Sequence, residues 1–148
     1  MSFAPGQFIT AQRLNRLQNK IYRAKASSAL SGVQSSADMP GATITFDTET
    51  NNAKAYVWWS CDARQSAATT GQVSCQPILD GATVADAFAL FQGAPGASSS
   101  GEKATVANTM DFTITTAGSH TIKLQLTQTA NNQTNIYTSL MIMVEEVV

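Results

Sequence analysis

Residues 104–128 read ATVANTMDFTITTAGSHTIKLQLTQ, and their alternation decides the fold. In 104–115, Val106, Met110, Phe112 and Ile114 oppose Thr105, Thr109, Asp111, Thr113 and Thr115. Successive side chains of a strand point to opposite faces, so a period of two makes a strand with one apolar face. Ala117-Gly118 punctuates the run as a turn. The pattern then resumes in 119–128, where Ile122, Leu124 and Leu126 oppose Thr121, Lys123, Gln125 and Thr127.

The same period extends in both directions. Ile44 and Phe46 alternate with Thr43 and Thr45, and a Thr-Asn-Asn turn at 50–52 leads into 53–61, AKAYVWWSC. Further strands are expected at 72–79, 83–91 and 135–147. About seven or eight strands at this spacing predict an all-β fold, an antiparallel sandwich of jelly-roll type. With 148 residues, one domain can bury a real core without metals or disulfide staples.

Two strands break the in–out rule. In 55–59, Ala55, Val57 and Trp59 share one face while Tyr56 and Trp58 occupy the other. Residues 140–144, LMIMV, are apolar on both faces. Apolar patches of that kind mark contact surfaces, so Tyr56, Trp58, Met141 and Met143 are expected at a subunit interface. The alternative is that the N-terminal helix folds over them.

Ahead of the sandwich the character changes. Arg13, Arg16, Lys20, Arg23 and Lys25 are five bases with no acid before Asp38, although the whole chain carries a net charge of only −1. Such a split marks a tail that docks on something anionic, or simply a solvated helix face. Thr10 reads as an N-cap, and Ile9 with Leu14 as a hydrophobic staple. Leu14, Leu17, Ile21 and Ala24 then recur at three- and four-residue spacing. The spacing predicts a basic amphipathic helix of about 16 residues, marginal alone in water. Residues 26–41 lack periodicity and read as a linker. The expected organisation is thus an arm and helix over 1–25, a linker over 26–41 and a sandwich over 42–148.

Little in the sequence points to catalysis. The one histidine, His120, shares parity with Ile122 and Leu124, which suits a half-buried, hydrogen-bonded role. No G-x-S-x-G, Walker or H-E-x-x-H motif occurs, and the acids lie at turns or strand edges without a recognisable catalytic spacing. The reading is a non-enzymatic module with no cofactor and no metal. Two cysteines are too few for a zinc site. If 55–61 and 72–79 pair, Cys61 and Cys75 face one another, as a disulfide or as two buried thiols. No apolar run is long enough to span a membrane. Five charges with one aromatic give at best non-specific attraction to nucleic acid.

Several segments together resemble a known group. Pro5–Gln18, PGQFITAQRLNRLQ, carries a Gly-x-x-x-Thr-Ala-x-x-Leu-Asn lead into a helix. A Trp-containing strand at Tyr56–Ser60, an Ile-Leu-Asp-Gly turn at 78–81, the run AGSHTIKLQ at 117–125 and a Val/Glu-rich tail complete the pattern. It resembles short virion structural proteins of tailed bacteriophages: capsid decoration proteins, head fibres or spike bases, and minor tail proteins. That resemblance implies a virion location after assembly in the host cytoplasm. It also implies a homotrimeric sandwich, with partners among capsid, portal or tail proteins. The anchoring helix would present Ile9, Arg13, Leu14, Arg16, Leu17, Lys20, Ile21 and Arg23. The second expectation is a receptor- or glycan-binding module with Trp58 or Tyr56 as stacking platform.

Overall fold

A computed structural model of the chain describes residues 11, 14, 18–65, 71–84, 89–92, 103–129, 132–134 and 136–147. Its elements are β1 (Lys20–Lys25), β2 (Leu30–Ser31), β3 (Gln34–Thr48), β4 (Ala53–Gln65), β5 (Gln72–Leu79) and β6 (Ala82–Thr83). They continue as β7 (Ala89–Gln92), β8 (Lys103–Ile114), β9 (Gly118–Gln128), β10 (Asn132–Thr134) and β11 (Ser139–Glu145).

All pairings are antiparallel and fall into two sheets. In the front sheet β4 is flanked by β8 on one side and, end to end, by β11 and β10 on the other. The outer places beyond these are taken by β1 against β11 and β2 against β10. In the back sheet the order is β3, β9, β5, with β6 and β7 sharing the far edge of β5. The chain crosses between sheets at most connections, as a jelly-roll sandwich requires. Alternation supplies the core: Val57, Trp59, Leu140, Ile142 and Val144 from the front sheet meet Phe46, Val73, Ile122, Leu124 and Leu126 from the back. The buried Trp59 indole satisfies its N–H by donating across the sandwich to the carbonyl of Cys75, at 3.1 Å. Asp80 and Gly81, both at positive φ (49° and 84°), form the tight Asp-Gly turn joining β5 to β6.

Two expectations are corrected here. Lys20–Lys25 is a strand, with alternating exposure, and not the last turns of a helix. Ile21 and Ala24, on one stripe in a helix, fall on opposite faces of the strand; Tyr22 and Ala24 pack on the core while Ile21 is 56% exposed. The physical reason is tertiary: without β1 the outer edge of β11 would leave its amides and carbonyls unpaired, and KIYRAK alternates well enough to satisfy them. The rest of the expected helix, with Ile9, Arg13, Arg16 and Leu17, lies outside the described residues; Leu14 is exposed.

The second correction concerns 26–41, which is not a linker. It contains β2 and the first half of β3, and it contributes Ala26 and Met39 to the core. Register shifts at Gln34/Ala37 and Asp38/Thr43 insert extra residues, so the period of two is lost from the sequence while pairing with β9 continues. The sandwich therefore reaches back to Lys20.

Gly41 makes the close approach of β3 to the end of β1 possible. Its φ is +80°, and a Cβ there would stand 2.7 Å from the Ser27 amide nitrogen and 2.9 Å from the Lys25 carbonyl oxygen. Left-handed backbone costs a side chain about 1–2 kcal/mol, and the backbone clash adds to it. Gly41→Ala is expected to lose about 2–3 kcal/mol in urea denaturation. A loss under 0.5 kcal/mol would mean that β1 and β3 do not approach as described.

Candidate functional site

The register of β8, β4, β11 and β1 sets side chains in rows across the outward face of the front sheet. One row runs Asp111, Tyr56, Met143, Ile21. The next runs Thr109, Trp58, Met141, Arg23, and a third runs Ala107, Ser60, Ser139, Lys25. Opposite residues on neighbouring strands stand about 4.5–5.5 Å apart at Cβ, close enough to pack. The inward-facing members of β4 and β11 are buried and those of β8 and β1 pack partly buried against the same core, which leaves these rows to solvent.

Tyr56, Trp58, Met141 and Met143, expected at an interface, are thus brought together in two adjacent rows, each half-buried. Ile21 extends the patch to the sheet edge, and the Asn19 amide lies 3.6 Å from the Met143 sulfur. Small side chains in the third row leave a depression of about 550 Å³ lined by Arg23, Lys25, Trp58, Ser60, Thr109 and Met141. Ser60 and Ser139 hydroxyls bond one another at 2.8 Å, and the Lys25 ammonium stands 5.3 Å from the Tyr137 ring centroid. Chemically this is a concave apolar surface with a polar margin, suited to burial against a complementary shape.

Cys61 and Cys75 lie in facing sheets, both fully buried as thiols and not joined in a disulfide. The Cys75 thiol is held well above its ordinary range by its hydrogen bond with Cys61, by burial and by the charge Cys61 would carry. His120 is buried, with Nδ1 at 2.7 Å from Asp80 and Nε2 at 3.0 Å from the Thr116 carbonyl. Asp80 also accepts from the Thr121 amide at 2.7 Å. Burial raises the Asp80 carboxyl, but the His120 and Thr121 hydrogen bonds outweigh it and hold the group below its usual value. The pair ties the β5–β6 turn to β9. Among the described residues no cluster of three His, Cys, Asp or Glu is placed to hold a metal ion.

A second feature gave no sequence signal beyond two adjacent acids in the tail. Glu146, its side chain fully buried, accepts from the Glu49 amide at 2.9 Å, the Thr50 amide at 3.0 Å and the Thr50 hydroxyl at 2.7 Å. Lys20 Nζ lies 3.5 Å from the same carboxylate and 3.1 Å from Glu49. The clamp joins the C-terminal end, the β3–β4 turn and the first residue of β1.

No family model matches the chain, and no curated protein matches it in sequence. Solved structures resemble it in fold. The Eiger TNF from S. frugiperda superposes with a TM-score of 0.53 at 8% identity, over 87% of this chain and 93% of that one. A mutant VP2 protein of infectious bursal disease virus, in derived T=1 particles, gives 0.51 at 17% identity. That match covers 98% of this chain and 36% of the VP2 chain, so the sandwich spans about a third of the viral protein's length. At such identities the likeness establishes the jelly-roll β-sandwich and nothing further.

Proposed function

We propose that this chain is a structural jelly roll of a virus particle that self-associates through the outward face of its front sheet. The observation that carries the reading is the run of Tyr56, Trp58, Met141, Met143 and Ile21 across three neighbouring strands on the solvent side. A two-layer sandwich needs one apolar face per sheet; a second one is stable in water only when something covers it. The resemblance of its short motifs to those of bacteriophage decoration, head-fibre, spike-base and minor tail proteins supports the finer assignment, a homotrimer on the virion. The residues before Lys20, with Ile9, Arg13, Leu14, Arg16 and Leu17, form its attachment to capsid, portal or tail partners. Lys20, Ile21 and Arg23 belong to the sandwich and not to that anchor. The module works by packing, without catalysis.

The concave setting of Trp58 among hydroxyls favours one second reading, a glycan or other receptor ligand stacked on its ring. Light scattering of the full-length protein over a range of concentrations separates the two. A stable multiple of the monomer mass, threefold for the trimer, supports self-association. A monomer at every concentration removes it and leaves the face to a ligand.

A further inference from the structure

The outward face of the front sheet has unlike rims. Along β1 it is edged by Arg23 and Lys25, both exposed. Along β8 the corresponding acid is Asp111, exposed, with Thr105, Thr109 and Thr113 on the same side and Asp62 one strand inward. Lys103 closes the opposite end of β8, four rows from Asp111. Among the described residues the ion pairs are Lys20 with Glu49 and Glu146, His120 with Asp80, and Lys123 with Asp38. Neither Arg23 nor Asp111 takes part in one.

Symmetry limits how copies can stack such faces. A twofold axis running across the strands lays β1 on β1, setting Arg23 and Lys25 of each copy against their own equivalents. Like charges brought together on a desolvated patch oppose that arrangement. A twofold along the strands, or a head-to-tail rotation closing a ring, instead lays the β1 rim of one copy on the β8 rim of its neighbour. We propose that a second copy of this chain covers the face in that sense, with Arg23 of one copy paired to Asp111 of the next. In the sheet the two residues lie one row apart, roughly 7 Å along the strand, a step that an arginine side chain can span. The apolar rows between the rims are then buried, and the unlike rims fix which edge meets which. The inference rests on the self-association reading and adds its direction.

The test is a charge exchange in the full-length protein, read as the concentration at which the oligomer dissociates. Arg23→Glu and Asp111→Lys are each expected to raise that concentration at least tenfold, and the double variant to return to within about threefold of the parent. Both positions are solvent-exposed in the single chain, so thermal melting of each variant serves as the fold check. A double variant as weak as the two single effects combined means that the rims do not meet, and the placement is wrong while self-association stands. A parent protein that never self-associates sinks the underlying reading as well.

Discussion

Met141→Glu is expected to dissociate the oligomer while leaving the sandwich folded. Met141 sits in the middle of its row, between Trp58 on β4 and Arg23 on β1, and points away from the core. In the single chain a carboxylate there meets water and a neighbouring guanidinium, so the monomer melts within about 1 kcal/mol of the parent. In the interface the same carboxylate is stripped of water against apolar surface, at several kcal/mol per ion. Allowing for partial compensation by Arg23, about 3 kcal/mol remains, equivalent to an affinity loss of roughly 100-fold. An unchanged native mass in light scattering would rule out this face as the contact.

Glu146→Ala is expected to remove about 3–4 kcal/mol of stability at neutral pH and to flatten the acid limb of the stability curve. Truncation strands two backbone amides and a hydroxyl that now donate to one buried carboxylate, and leaves Lys20 with Glu49 alone. Burial by itself would raise the carboxyl; the Glu49 and Thr50 donors and the Lys20 charge more than offset it, so the folded group titrates below its ordinary value. The unfolded chain therefore binds the proton first as pH falls. The stabilisation is complete above the ordinary glutamate value of about 4.3, and is lost as pH drops through the folded one. Urea denaturation from pH 7 to pH 3 should show parent and variant converging at the acid end. Parallel curves would mean that the carboxyl titrates normally and the clamp is loose.

Both effects depend on contacts that differ in how far the sequence reveals them. β8 and β9 are legible because each alternates along most of its length, and β5 alternates likewise as far as Pro77, so the expected 72–79 segment coincides with Gln72–Leu79. Tyr56, Trp58, Met141 and Met143 are legible for the opposite reason, since apolar residues at both parities stand out against that rule. The residues 20–25 satisfy two periods at once. Leu14, Leu17, Ile21 and Ala24 fit a helical stripe, and KIYRAK fits a strand; only the open edge of β11 decides between them. The candidate face was consequently legible at its centre and not at its β1 rim.

Residues 26–41 fail for a different cause. Ser36 at φ 53° and Gly41 at φ 80° mark places where β3 leaves regular geometry, and each irregularity shifts parity, so no window shows alternation. Glu146 was hidden by distance, because its donors lie 96 and 97 residues earlier in the chain. A carboxylate acquires that role only after the sandwich brings the tail beside the β3–β4 turn.

The central claim is that the outward face of the front sheet is covered by protein. Hydroxyl-radical footprinting of the full-length chain tests it most directly, with oxidation of Met141, Met143 and Trp58 read by peptide mass spectrometry. The expected result is protection of all three at concentrations that favour assembly and reactivity on dilution. Val33, 69% exposed on the β2–β3 turn, should react alike in both as the internal reference. Equal reactivity of Met141, Met143 and Trp58 at high and low concentration would contradict the claim.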